Sequence, residues 1–534
     1  MLPPLIHRSQ QLSQLTQKNT LWDVVVIGGG ATGLGIALDA ATRGYRTALV
    51  EAYDFAKGTS SRSTKLVHGG VRYLAQGHVL LVREASVERG LLLRNAPHLV
   101  HRQPFVIPVY KKWNLLQYGI GLKLYDWMAG RLSMGSSRFL SAPETTALLP
   151  GVKSSGLVGG VLYYDGQFDD ARLAVNIMQT LIEKEGCAVN YVRADGLLKN
   201  GAGKVCGISV TDTETGDCFE IKAKAVVNAT GVFADEILQL DNPEAPKQLS
   251  VSQGVHLVLD PHFLPGGHAL MIPKTPDGRV LFAVPWRGKL VVGTTDTPVA
   301  APVWEPKALE QEVQFILDTA GAYLTHRPQR KDVRSIFAGL RPLAAPASEE
   351  KATKELSRSH QVLVAPSGLF TMVGGKWTTY RKMAADMLDS IERTLQWPHR
   401  PPVTGHLKIR GSEGAASLQP ALYGYGSDAI FLEKEIAAAP DGWISRENNL
   451  HQAHVQWAVQ HEMARTVEDV LARRTRILLL DSAAAVSLAP AVAQRLAALL
   501  SKDDAWVNEQ VQAFTLLAHH YRLEAKIAKS NIQD

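Results

Sequence analysis

Residues 23–33 read Asp-Val-Val-Val-Ile-Gly-Gly-Gly-Ala-Thr-Gly, and Glu51 closes the next apolar run. Gly28, Gly30 and Gly33 stand at G-x-G-x-x-G spacing, with Thr32 between the last two. In such a turn the first glycine permits the reversal, the second lets backbone approach phosphate oxygens, and the third lets a helix lie close to the strand. Amide N–H groups at the helix start then face an anion. A carboxylate at the end of the following strand accepts from ribose hydroxyls and repels a 2′-phosphate, so Glu51 favours FAD or NAD over NADP.

This chemistry needs a strand, a turn, a helix and a second strand in that order. The apolar run before Gly28 supplies the first strand. A helix is predicted over 33–43 with Gly44 as its stop, and a strand over 46–50 delivers Glu51. Downstream, helices are expected over 79–95 and 169–185, short strands with an aromatic-rich helix over 102–165, and a strand over 188–193. An antiparallel meander is expected over 196–221. The buried run 223–227 ends in Asn228-Ala229-Thr230-Gly231, a small-residue turn suited to the carboxyl edge of a sheet. Residues 250–298 are strand-rich and would form a second sheet over the nucleotide. A last strand, 370–373, runs into Gly374-Gly375-Lys376 and a helix containing Thr378 and Thr379. After Pro401-Pro402 the chain turns Ala/Leu-rich and helical, notably over 450–480 and 483–500.

At 534 residues the chain has room for two or three domains. Its formal charge of +6 is diffuse; it fits an anionic substrate or lipid surface and argues against nucleic acid. Cys187, Cys206 and Cys218 form no C-x-x-C pair, so they read as reduced and structural, with no metal bound. No run of 18 apolar residues is present, so no membrane span is expected.

Further motifs are more specific. Residues 58–74 read Gly-Thr-Ser-Ser-Arg-Ser-Thr-Lys-Leu-Val-His-Gly-Gly-Val-Arg-Tyr-Leu, hydroxyls and cations alternating as in a loop wrapped around an anion. Asp169-Asp170-Ala171-Arg172-Leu173, Gly254-Val255-His256, Gly293-Thr294-Thr295-Asp296-Thr297, Gly339-Leu340-Arg341-Pro342-Leu343 and Gly374-Gly375-Lys376-Trp377-Thr378-Thr379-Tyr380-Arg381-Lys382 follow in order. With the Asn228–Gly231 turn and the tail segments Gly426-Ser427 and Arg465–Leu471, this series closely resembles the FAD-dependent glycerol-3-phosphate dehydrogenase family over residues 21–510.

The resemblance implies an α/β fold: a Rossmann-like FAD-binding domain of the D-amino-acid-oxidase type, a mixed-sheet substrate domain and a C-terminal α-helical domain. The expected boundaries are 21–95, 166–245 and 335–400 for the discontinuous FAD domain, 96–165 and 246–334 for the substrate domain, and 401–534 for the helical cap. The implied reaction oxidises sn-glycerol 3-phosphate to dihydroxyacetone phosphate, reduces FAD and passes electrons to a membrane quinone.

On that reading Arg72, Arg341 and Lys376 hold the substrate phosphate and its neighbouring hydroxyls, with Tyr73 adding a hydroxyl; a phosphomonoester suits such cations. Hydride loss from C2 requires a base for the hydroxyl proton, and neutral histidine suits neutral pH. His256 is the first candidate and His68 the second. Thr59, Ser60, Ser61, Ser63, Thr64, His68, Gly69 and Gly70 are expected around the cofactor, together with Ala229, Thr230, Gly231, Gly375, Lys376, Thr378 and Thr379. The positive end of the last helix would stabilise negative charge on the reduced ring. Asp296 reads as a turn cap.

Residues 110–128 place Trp113, Tyr118, Tyr125 and Trp127 among lysines and leucines. This composition suits a helix in a membrane interface and equally a helix under the substrate domain. The expected setting is the inner face of a bacterial plasma membrane, peripheral and cytoplasmic; a homodimer is left open. The rival functions are a glycerol-3-phosphate oxidase using oxygen, an FAD-dependent amine or amino-acid oxidase, and a non-catalytic nucleotide-binding protein. The amine and amino-acid oxidases would need a carboxylate clamp and lack the 58–74 pattern, and a non-catalytic protein would lose the cations.

Overall fold

The computed structural model describes residues 5–17, 20–70, 79–129, 134–275, 278–345, 360–413 and 419–523. Two large sheets organise them.

The strand Leu21–Ile27 is apolar and largely buried, as a strand covered on both faces must be. It pairs in parallel with Thr47–Val50 on one side and Cys218–Asn228 on the other. Phe370–Val373 joins the outer side of Cys218–Asn228, and Cys187–Val189 joins Thr47–Val50. Ile27 lies in register with both Val50 and Asn228, and Asn228 with Thr371. The carboxyl ends of four strands thus finish level, and each delivers its functional turn to the same edge. The helix Ala31–Thr42 covers one face against Tyr380–Thr394 and Asp170–Glu183.

The meander and the run 223–227, expected as separate strands, are continuous. Cys218–Asn228 pairs antiparallel with Val205–Asp212 through its first half and parallel with Leu21–Ile27 through its second.

The second sheet has ten strands. Val100–Val109 and Gly159–Phe168 pair over their full lengths, so the stretch 102–165 is built on long strands rather than short ones. Leu249–Leu259 carries His256 and is flanked by Lys289–Gly293 and Ser335–Ala344. The expected 335–400 cofactor segment is therefore divided: its first strand lies in the second sheet, and its later strands, Gln361–Val364 and Phe370–Val373, lie in the first.

The N-terminal helix Arg8–Leu15 covers an edge of the first sheet. Gln11 accepts from the Ala188 amide through Oε1, and its carbonyl accepts from Cys187 Sγ. Arg8 is buried on Asp212 and on the carbonyls of Asn190 and Tyr191. Covering an edge strand removes a template for unwanted pairing.

Beyond residue 400 the elements are mainly helical, but the stretch 450–480 is not one helix. Gln452–Glu462 ends at Met463 with φ +54°, Asp469–Arg474 is π-helical, and Arg476 has φ +70° ahead of Ile477–Leu480. Ser482–Leu500 is long and apolar enough by length and composition to cross a membrane, although Ser487, Pro490, Gln494 and Arg495 interrupt its apolar run. One face is buried in the C-terminal core through Ala485, Ala489, Val492, Ala493 and Leu496, while Ala483, Ser487, Ala491 and Gln494 are exposed.

Candidate active site

A cavity of about 580 Å³ opens where the strand ends of the first sheet meet the second sheet. Its wall is built first by the glycine turn. Gly28 has φ +109°, and a Cβ there would lie 2.7 Å from the Ala229 carbonyl oxygen; a Cβ on Gly33 would lie 1.8 Å from the Gly28 carbonyl oxygen. Only glycine lets these three backbone segments meet. Gly30 lies against Ser60, whose Oγ accepts from the Ala31 amide at 2.9 Å.

Glu51 is buried in the same wall. Its carboxylate accepts from the Gly29 amide at 2.6 Å and the Tyr53 amide at 2.9 Å. Burial raises its pKa, and the two amides only partly offset that. Glu51 therefore shapes the turn as well as facing the cavity.

The segment after Gly58 closes over the cavity. Thr59 donates to the Leu340 carbonyl at 2.6 Å, and Trp377 Nε1 donates to the Ser60 carbonyl at 2.8 Å. Ser63 donates through both its amide and its hydroxyl to Asp170. Thr64 Oγ lies 2.9 Å from His256 Nε2.

The His256 ring stacks on Phe337 with centroids 4.9 Å apart. Its Nδ1 has no hydrogen-bond partner among the described residues. Burial, with Lys65 and Arg341 nearby, holds its pKa well below the ordinary histidine value. The ring is thus neutral at neutral pH, as a proton acceptor must be.

Arg341 emerges opposite Ser252, two residues beyond the Gly254–Gly339 pair. Its guanidinium donates to Thr294 Oγ at 2.9 Å and the Thr295 carbonyl at 3.0 Å, with Asp296 at 3.3 Å. Asp296, read as a turn cap, is thus the carboxylate that aligns Arg341. Arg341 and Lys376 both line the large cavity. A second cavity of about 170 Å³ adjoins it, sharing Thr64, Leu66, His68 and Arg341. Arg279 lines this second space, and nothing in its sequence context singled it out.

Thr32, Ala229, Thr230, Gly231, Gly375 and Thr378 line the large cavity as expected from sequence, and Gly70 lines the smaller one. Ser61, Gly69 and Thr379 line neither. The Ser61 carbonyl is turned away to accept from Lys65 and Arg476, and the Gly69 amide donates towards Asp165. Thr379 turns back to the Lys376 carbonyl. Arg62 lines the large cavity as well, with Glu305 at 2.7 Å. Arg72 and Tyr73 lie outside the described residues.

Residues 23–381 match the FAD dependent oxidoreductase family, and residues 372–507 match the C-terminal domain of alpha-glycerophosphate oxidase. The chain is 38% identical over 529 residues to a probable mitochondrial glycerol-3-phosphate dehydrogenase of Caenorhabditis elegans, covering 93% of this chain and 72% of the relative. This chain belongs to the FAD-dependent glycerol-3-phosphate dehydrogenase family. Within the same family, the human mitochondrial enzyme is 37% identical over 545 residues, covering 94% of this chain and 74% of that one. The glycerol-3-phosphate dehydrogenase of Bacillus halodurans, solved in complex with FAD, superposes with a TM-score of 0.78 at 28% identity, covering 96% of this chain and 97% of that chain.

The residues present fit the family's cofactor. The Gly28–Gly33 cradle is one that a Cβ would fill, the Ala31–Thr42 helix starts at the cavity, and Glu51 faces it where a dinucleotide ribose belongs.

Proposed function

We propose that this protein oxidises sn-glycerol 3-phosphate at C2 to dihydroxyacetone phosphate. The observation that carries the reading is that Arg341 and Lys376 line the same cavity as the dinucleotide turn. FAD, when bound, supplies the acceptor for two electrons and one proton equivalent as hydride.

Gly28, Gly30 and the amides at the start of Ala31–Thr42 would hold its pyrophosphate, and Glu51 its ribose. Thr59, Ser60, Ser63 and Thr64 would line one side; Ala229, Thr230, Gly231, Gly375 and Thr378 would line the other. Arg341 and Lys376, with Arg72 and Tyr73, would grip the substrate phosphate and its neighbouring hydroxyls. A bidentate cation fixes the ester's orientation as well as its charge. His256 takes the proton of the C2 hydroxyl as hydride leaves the carbon; its buried, neutral ring is ready to accept one. His68, shared by both cavities, is the second candidate for that proton. We take 21–95, 166–245 and 360–400 as the cofactor unit and the C-terminal residues from 401 as its cap, with Ser335–Ala344 assigned to the substrate sheet.

We further propose a membrane quinone as the electron acceptor and peripheral attachment at the inner face of a bacterial plasma membrane. The helix Lys112–Ala129 divides its roles: Leu115, Tyr118 and Leu122 pack on the second sheet, while Trp113 is 76% exposed beside Lys111 and Lys112. Trp113→Ser should weaken sedimentation with anionic liposomes; unchanged sedimentation would remove Trp113 from the attachment.

The decisive experiment is anaerobic mixing of the flavin-loaded protein with sn-glycerol 3-phosphate. Loss of the yellow flavin band is expected. A band unchanged by this substrate but bleached by glycine, sarcosine or a D-amino acid would overturn the assignment in favour of an amine or amino-acid oxidase. Reoxidation by a quinone analogue faster than by oxygen is expected; the reverse order would make the protein an oxidase.

A further inference from the structure

Behind the cofactor turn lies a buried charge cluster that the catalytic reading does not use. Asp170 Oδ2 accepts from the Ser63 amide, the Ser63 hydroxyl and Lys65 Nζ. Its Oδ1 accepts from Arg476 at 2.7 Å. The same Arg476 guanidinium donates to the Ser61 carbonyl at 2.9 Å, and its Nε lies 3.4 Å from Asp169. The side chains of Arg476, Asp169 and Asp170 are fully buried. Lys65 and Arg476 also lie 5.4 and 5.6 Å from the Trp286 ring centroid, on a strand of the second sheet.

Arg476 comes from the C-terminal helical region, 415 residues from Ser61. The backbone is bent to bring it there: the preceding turn is π-helical, and Arg476 itself has φ +70°. A non-glycine residue in that region costs of order 1 kcal/mol, and such distortions mark places where a side chain must be aimed.

We propose that Arg476 is a positioning residue through which the C-terminal region sets the cofactor turn 59–65 and, by way of that turn, the His256 ring. Ser63 and Lys65 are both tied to Asp170, so Thr64 between them has little freedom, and Thr64 is the residue in contact with His256 Nε2. Ser60, whose hydroxyl closes on the start of the cofactor helix, directly precedes Ser61, whose carbonyl Arg476 holds. The inference rests on the proposed reading only in taking this turn as the cofactor wall and His256 as the base.

The test uses the flavin-loaded full chain and Arg476→Lys, which keeps the charge beside Asp169 and Asp170 but cannot span both contacts. Hydrogen exchange followed by mass spectrometry should show faster exchange across 58–68, with 21–43 unchanged. The dissociation constant for FAD, read from flavin fluorescence, should rise about tenfold, the loss expected for a charge-assisted bond. Asp169→Asn removes the second carboxylate beside Arg476 while keeping the helix cap on the Arg172 amide. It should raise exchange over 58–68 to a smaller degree, and it remains informative if Arg476→Lys does not fold. Thr64→Val leaves the charge cluster intact; it should keep near wild-type exchange over 58–68 but slow flavin reduction about tenfold. Wild-type exchange over 58–68 in Asp169→Asn, or loosening of 482–518 alone in Arg476→Lys, would overturn the proposal. A wild-type protein whose flavin is not bleached by sn-glycerol 3-phosphate would instead overturn the functional reading and leave the exchange result to decide this one.

Discussion

Replacing Gly254 by alanine tests the role of Arg341 without changing a charge. A Cβ at 254 would lie 2.1 Å from Arg341 Nη2, 2.6 Å from its Cζ and 2.6 Å from Thr294 Oγ. Gly254 is not among the positive-φ glycines, so alanine meets no backbone penalty of that kind. The obstacle is mainly the far end of a long side chain, which moves aside at small cost to stability. What moves is the guanidinium proposed to hold the phosphate. A hydrogen bond to a charged group contributes about 1.5–3 kcal/mol, so displacing one such contact should raise KM for sn-glycerol 3-phosphate about 10- to 100-fold. Thermal midpoint and FAD content should stay near wild type. Arg341→Ala should raise KM at least as much, and the double variant should add little, because both changes disable one group. An unchanged KM in folded, flavin-loaded Gly254→Ala would refute the role of Arg341, and so would full additivity in the double variant.

Three further outcomes are expected. Gly33→Ala, with its Cβ 1.8 Å from the Gly28 carbonyl oxygen, should lose FAD and lower the melting temperature, because backbone must shift; retained flavin absorbance in the purified variant would contradict this. The rate of flavin reduction should hold steady from pH 8 down to 6.5: burial, Lys65 and Arg341 depress the His256 pKa, so protonation would inactivate it only at lower pH. A plateau that breaks near pH 6.5 would point to a solvated histidine instead. Burial alone would raise the pKa values of Asp54, Asp170 and Glu468, but their arginine and lysine partners carry all three below the usual carboxylate range. Each binds a proton less readily when folded than when unfolded, near pKa about 4. Their stabilisation is therefore present above about pH 5 and lost as pH falls below about 4, so melting temperature should drop steeply there.

The parts of the site legible in the sequence are those governed by local backbone geometry. Gly28 is required locally by its own φ of +109° and Gly33 by its contact with the Gly28 carbonyl, so their spacing carries the information. Glu51, Ala229–Gly231 and Gly375–Thr378 follow because each terminates a strand of the same sheet. The break of the 450–480 helix was not legible. Arg474 meets Asp54 420 residues away and Arg476 meets Asp170 306 residues away; the Ala/Leu pattern records only apolar spacing. The continuity of Cys218–Asn228 was hidden for a similar reason. Its first half is half-exposed and antiparallel, its second half buried and parallel, so one strand carries two periodicities. The helix Lys112–Ala129 satisfied two readings because one stripe is buried on the sheet while Trp113 points outward.

Geometry separates two sets of cations that look alike in sequence. Arg474 and Arg476 are fully buried and sit 2.7 Å from carboxylates that are themselves fully buried. Taking such a pair out of water is costly, and removing one member strands the other, so pairs of this kind fix an arrangement more than they add stability. Arg341 is different: its side chain is 23% exposed and lies 3.3 Å from Asp296, longer than an optimal ion pair. A guanidinium that keeps part of its surface open to the cavity can meet an incoming dianion on that side while Thr294, Thr295 and Asp296 hold the other. The buried pairs meet far from each other in sequence and join separate regions of the fold, whereas Arg341 stands on a cavity wall. Position on the cavity wall and partial exposure thus distinguish a cation suited to hold a substrate from one that holds the protein together.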